Sequence, residues 1–220
     1  KEKVKDFWIK GDTAAEYIGR VIEYIAVKEV SDIMDYNDVN KYVEKVIESN
    51  SFLVDNIIPD FITASDLKYL LTCLVREKVS VKNIVYIFEK INDYANEPTK
   101  EDLLDKVRLA LSRHIVKDLA KDGELKVIEF SDEILDRVYS FFKEDEEEAI
   151  IRIDSCEVQD IASRLMKIAK AKKITSPVIA VPMDIRHMVF VILSEFVQDL
   201  TVLAHEELVS DYNIKFIGKI

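Results

Sequence analysis

Three histidines and two cysteines are the side chains in this sequence best suited to bond-making chemistry, and their spacing decides little in their favour. His205-Glu206-Glu207 has the opening of a zinc-helix motif, but that template needs a second imidazole four residues on so that both face the metal. Position 209 is Val209, so the template fails. His187 lies three residues after Asp184, where a carboxylate at a helix start could orient an imidazole; local capping beside an exposed ring accounts for the same spacing. His114 follows Arg113 near a predicted helix end, where cations favour the helix dipole. Cys73 lies among Leu70, Leu71 and Leu74 and reads as a small core residue. Cys156 falls in the first turn of a predicted helix, a setting that favours thiolate, yet no neighbouring base is identifiable.

The wider search for chemistry is also negative. The sequence contains no GxSxG, no Walker loop and no GxGxxG, and Gly11, Gly19, Gly123 and Gly218 stand too far apart for a phosphate-cradling loop. No CxxC pair offers a zinc or thiol-exchange site, and two cysteines make no disulfide framework. No cofactor or metal site is expected. A net charge of −11 over 220 residues argues against sequence-independent nucleic-acid binding, which needs a basic face. It favours partners with basic faces instead. With 49% hydrophobic and 33% charged residues, the balance is that of a globular chain long enough for one large domain or two small ones. No run of about 20 apolar residues spans a bilayer. The opening Lys1-Glu-Lys-Val-Lys lacks an initiator Met and a signal segment, and reads as the interior of a longer protein.

The elements that would position these residues change type along the chain. In the first part, Leu67, Leu70, Leu71 and Leu74 repeat at i, i+3, i+4, i+7 and predict a helix over 65–77. Ile84, Ile87, Phe88 and Ile91 predict another, with Ser80 as its N-cap. Thr99 with Asp102 makes a capping-box-like start for a third, whose Leu103, Leu104, Val107 and Leu111 line one face to about Ile115. Helices over 12–26 and 37–50 are less cleanly patterned, and Pro59 marks a loop. This part reads as a helical bundle. After Lys121-Asp122-Gly123 the pattern alternates. A β-like run over 125–130 leads into a helix capped by Ser131, and the acidic Glu144–Glu148 reads as a solvated loop. A short strand over 150–153, a helix started by Asp154 and Glu157, and a buried strand over 178–181 follow. A helix opened by Asp184, a strand over 201–204 and an alternating Ile214, Phe216, Gly218, Ile220 complete the chain. The fold class is therefore α+β: a helical bundle followed by a small α/β subdomain with a mostly parallel sheet. Open α/β sheets bind ligands at the carboxyl ends of their strands, here near Pro182 or His205, so a small-ligand enzyme and a helical adaptor both stay open at this point.

Three stretches carry a family resemblance. They are Leu74-Val-Arg-Glu-Lys-Val-Ser-Val-Lys-Asn-Ile-Val-Tyr-Ile-Phe-Glu89 with Ile91-Asn-Asp-Tyr-Ala95, then Leu103-Leu-Asp-Lys-Val-Arg-Leu-Ala-Leu-Ser-Arg-His-Ile115, and finally Pro177-Val-Ile-Ala-Val-Pro-Met-Asp-Ile-Arg186 with Val202-Leu-Ala-His-Glu-Glu-Leu208 and Asn213-Ile-Lys-Phe-Ile-Gly-Lys-Ile220. In this order the chain resembles the cytoplasmic carboxyl-terminal domain of the type III secretion export-gate (FHIPEP) family, which includes FlhA, InvA, MxiA and the SctV proteins. The composition and the closing residues look more like an injectisome member of the MxiA/InvA type than a flagellar one.

The resemblance implies residues 1–26 as the end of preceding cytoplasmic subdomains, 27–116 as a ring-forming helical subdomain and 117–220 as the C-terminal α/β subdomain. It implies no enzymatic activity and no cofactor. The implied role is a homo-nonameric ring at the cytoplasmic face of the bacterial inner membrane, continuous with a multi-pass membrane half. The implied partners are chaperone–substrate complexes, the gatekeeper and other export-apparatus and ATPase-complex proteins, with no nucleic acid. The polar positions matching the helical stretches, Arg76, Glu77, Ser80, Asn83, Arg108 and Arg113, are the implied ring contacts, arginines being suited to bidentate pairing across a polar interface. Asp184, Arg186, Glu206 and Glu207 are the implied partner-facing or loop-stabilising positions.

Overall fold

A computed structural model describes residues 13–140 and 155–220. The predicted strand over 150–153, the acidic run Glu144–Glu148 and the Asp154 helix start lie outside the described residues. The chain divides into two compact units, 1–107 and 108–220. The division falls inside one helix, so the change of pattern after Gly123 marks the start of the sheet rather than the unit boundary.

The first unit is helical. Helix α1 (Ala14–Lys28) opens on a complete capping box, in which the Thr13 side chain accepts from the Glu16 backbone N–H while Glu16 accepts from the Thr13 N–H. Asp35 and Asp38 make the same arrangement for α3 (Tyr36–Asn50), and Thr63 and Asp66 for α5 (Ala64–Arg76). Short helices α2 (Val30–Ile33) and α4 (Phe52–Asp55) link them. The unit's core forms where α3 packs on α5 and α6 (Ile84–Asp93). The apolar positions predicted from periodicity are the buried ones: Leu67, Leu70, Leu71 and Leu74 on α5, and Ile84, Ile87, Phe88 and Ile91 on α6. The N-cap of α6 is Asn83, whose Oδ1 accepts from the Tyr86 N–H at 3.4 Å, and not Ser80. Ser80 instead accepts from the Lys82 N–H at 3.4 Å within the turn. Thr99 caps α7 (Lys100–Leu119), accepting from the Asp102 N–H at 3.0 Å. That helix runs four residues beyond the predicted end at Ile115.

The second unit is an α/β layer. Strands β1 (Glu124–Glu129), β2 (Val178–Val181), β3 (Thr201–Ala204) and β4 (Asn213–Lys219) pair in the order β3-β2-β1-β4, and every pairing is parallel. β2 and β3 are buried along their whole length, as continuous apolar runs in parallel sheets are. Helices α8 (Asp132–Ser140), α9 (Ser155–Ala171) and α10 (Met183–Leu193) supply the crossovers. Ser131 accepts from the Ile134 N–H at 3.3 Å and caps α8 as predicted. α10 starts at Met183 after Pro182 with no side-chain cap, so Asp184 is a first-turn residue rather than the opener. Along β4 the alternation breaks: Val127 pairs Phe216 while Ile128 pairs Gly218, and the extra residue is Ile217. This bulge turns Phe216 outward, where it is half exposed, and packs Ile217 on the core.

Candidate functional site

The implied ring contacts begin at the end of α5. Arg76 is its last residue and half-buried, and Glu77 is the C-cap, itself buried. Lys78 then takes φ 60°, and the Val79 N–H reaches back to the Leu74 carbonyl at 2.8 Å while the Lys78 N–H reaches Val75 at 2.9 Å. Those two bonds are a Schellman closure with lysine where glycine is usual. Ser80 and Asn83 follow on the exposed turn. Burial thus removes the Glu77 side chain from any contact surface, while Arg76, Ser80 and Asn83 keep access to one.

On α7 the two arginines part company. Arg108 is 1% exposed and forms an ion pair with Glu207, also 1% exposed. Its Nη2 donates to Glu207 Oε2 at 3.1 Å and to the Val202 carbonyl at 3.4 Å. Nε lies 3.0 Å from Oε1 in a charge contact whose angle misses hydrogen-bond alignment. Glu207 Oε2 also accepts from the Ala204 N–H at 2.8 Å, closing a 3₁₀ turn over His205–Glu207. The pair therefore ties α7 to the turn through which the chain leaves β3 for β4 at the opposite sheet edge. Neither residue can serve as an outward contact, because a paired charge buried this deeply is held by its partner. Arg113, five residues on and so on a different side of α7, is 76% exposed and pairs only loosely with Asp211 at 3.4 Å. An ion pair so exposed is weak enough to exchange for an external carboxylate.

In the α/β unit Asp184 is exposed and accepts from the Tyr139 hydroxyl through both oxygens, at 3.0 and 2.9 Å. Burial first, then the Asp184 carboxylate, raises the Tyr139 hydroxyl above its usual range. Arg186, one of the largest fully buried side chains, is a core residue of α10 and not partner-facing. Glu206 is exposed on the 3₁₀ turn and Glu207 is the buried ion-pair member, so of the four implied positions two face solvent.

The chemistry candidates do not converge. Cys73 is buried, as its apolar neighbours predicted, and Cys156 is exposed. His114 and His205 are exposed. Among the described residues no group of three His, Cys, Asp or Glu side chains could hold a metal ion, and no helix is long and apolar enough to cross a membrane. What the described residues do present is exposed apolar surface. Sequence periodicity alone misses two parts of that surface. Ile18, Ile22 and Ile25 on α1 are 54%, 61% and 50% exposed, although their spacing is that of a buried stripe. A groove on α9 is bordered by Phe196, which lies three residues beyond the end of α10.

The family model described as "FHIPEP family" matches residues 4–213. The flagellar biosynthesis protein FlhA of Bacillus subtilis is 28% identical over 200 residues, which cover 85% of this chain and 28% of the relative. The chain thus spans under a third of the length of that relative. The solved structure of Shigella flexneri MxiA superposes with a TM-score of 0.83 at 22% identity, covering 95% of this chain and 67% of that one. The nonameric SctV-C of EPEC superposes with a TM-score of 0.79 at 20% identity, covering 93% of this chain and 63% of that one.

Proposed function

We propose that this chain, which belongs to the FHIPEP family, is part of the cytoplasmic platform of a type III protein export gate, forming a homo-oligomeric ring. The observation that carries the reading is the match of family and fold over nearly the whole chain, with a solved neighbour of the same fold that is a nonamer. On this reading residues 1–26 continue preceding cytoplasmic subdomains, residues 27–116 supply ring contacts, and the ring lies at the cytoplasmic face of the inner membrane below a membrane-embedded half of the same protein. The ring's role is to dock chaperone–substrate complexes and the gatekeeper and so to order export.

Burial narrows the ring contacts to Arg76, Ser80, Asn83 and Arg113, the implied positions that keep solvent access. The test is charge reversal in the longer protein that contains this chain. Arg113→Glu and Arg76→Glu are expected to shift electron-microscopic particle counts from rings toward smaller species and to lower secretion, while each variant's melting curve stays within a degree or two of the parent. Rings and secretion unchanged in both variants would overturn this assignment of contacts.

A further inference from the structure

The sign of the surface inverts locally on α9. From Ile161 to Met183 the sequence carries five basic residues, Arg164, Lys167, Lys170, Lys172 and Lys173, and no acidic one, within a chain of net charge −11. Arg164 is engaged by Asp160 at 3.0 Å, and Lys170 lies in the last turn of α9, where a cation offsets the helix dipole. Lys167 and Lys170 stand at i, i+3 on the exposed side of the helix, and neither makes an ion pair among the described residues. Beside them runs a groove of about 400 Å³ of mixed lining: Ala162 and Met166 from α9 and Phe196 from the segment after α10 are its apolar part, with Gln159 and Ser163 beside them. Phe196 is 44% exposed, while its neighbour Val197 is buried in the core, so the ring is held in place yet left uncovered.

We infer that this groove is a docking site for an acidic amphipathic protein segment, which seats an apolar side chain against Met166 and Phe196 and sets carboxylates on Lys167 and Lys170. Charge complementarity selects this occupant. An extended polyanion or an anionic membrane would meet the net-negative remainder of the chain, whereas a short acidic segment meets only the inverted patch. The volume suits one or two side chains, as an aromatic-bordered anchor pocket with a charged rim does. The inference rests on the docking role proposed above and locates one binding element of it within the α/β unit.

The probe is a fluorescein-labelled helical peptide of Glu-Leu-Leu-Glu repeats, titrated by anisotropy against this chain, with a Lys-Leu-Leu-Lys counterpart as control. Saturable binding of the acidic peptide and none of the basic one is expected, with affinity falling as salt rises. The double variant Lys167→Glu/Lys170→Glu and the single variant Phe196→Ala should each weaken binding about tenfold or more, Lys167→Arg/Lys170→Arg should retain it, and each should stay folded with a melting temperature no more than about 8 °C below the parent's. Equal affinity for the charge-reversed variant, equal binding of both peptides, or no saturable binding would each overturn the inference. Flotation with anionic phosphatidylglycerol vesicles that is lost on charge reversal, without peptide binding, would reassign the patch to lipid and overturn it too. Ring formation by the same variants in the longer protein is scored separately. Rings without peptide binding refute only this site, and peptide binding without rings refutes only the platform reading.

Discussion

Arg108 and Glu207 set the residue-scale energetics of the α/β unit. Both charges lie out of solvent, so each depends on the other and on the Ala204 N–H and Val202 carbonyl that complete the cluster. Removing one partner leaves the other charge buried and uncompensated: Arg108→Met is expected to destabilise by about 3 to 5 kcal/mol. The double variant Arg108→Met/Glu207→Gln should recover at least half of that loss, because the amide still accepts from the Ala204 N–H and brings no charge. Urea unfolding of the two variants checks this, and a double variant as unstable as the single would remove the ion pair from the account. In the helical unit, Lys100 at 2.8 Å foremost, together with the Thr63 capping bonds, holds the Asp66 carboxyl down to about 2 from its ordinary 3.8. A depressed carboxylate stabilises the fold fully above pH 3.8, and its contribution disappears as pH falls through 2. The contribution is about 1 to 2 kcal/mol, the lower figure allowing for the exposed Lys100. Stability of the parent should therefore drop more steeply than that of Asp66→Asn between those pH values. Parallel pH profiles would contradict the assignment.

At the scale of elements, the sequence patterns that proved most legible were those with one period and one face. α5, α6, β2 and β3 lie where their apolar spacing put them, because tertiary burial and local periodicity agree there. Legibility failed where a single contact overrode the pattern. Asn83 displaced Ser80 as the cap of α6 because it stands immediately before the first helical residue. The β4 bulge reset the alternation and exposed Phe216, a register change that no apolar count reveals. Arg108 and Arg186 are buried where an outward contact was expected, because residue type suggests exposure while pairing or core placement is a property of the folded chain; Glu207 fits the loop-stabilising alternative through its bond from the Ala204 N–H. Gly218 is legible only in retrospect: a Cβ there would stand 2.9 Å from Ile168 Cγ2, on a branch that cannot swing away freely. Gly218→Ala should cost about 1 to 3 kcal/mol by forcing β4 off α9, as thermal unfolding would show. An unchanged melting temperature would mean that this layer has slack. The α1 stripe behaves oppositely. Ile22→Glu should leave the stability of this chain within about 0.5 kcal/mol of the parent, since Ile22 is 61% exposed. A larger loss would show that α1 packs more deeply than its exposure indicates.

For the whole molecule, acidity and the scarcity of glycine first served to set aside nucleic-acid and phosphate chemistry, and the fold gives them a positive meaning. The helical unit is capped at its helix starts and the α/β unit carries a parallel sheet, and the charge along the chain varies: acidic on average, basic along α9. Charge distributions of this kind discriminate partners through electrostatic complementarity and speed their encounter more than they add raw affinity. The central claim is assembly into the ring of an export platform. Its most direct test is electron microscopy, with mass photometry, of the longer protein that the proposed function requires, with the proposed membrane-embedded half included. The account predicts closed rings of a single stoichiometry, lost on Arg113→Glu; a strictly monomeric species at every concentration would contradict it.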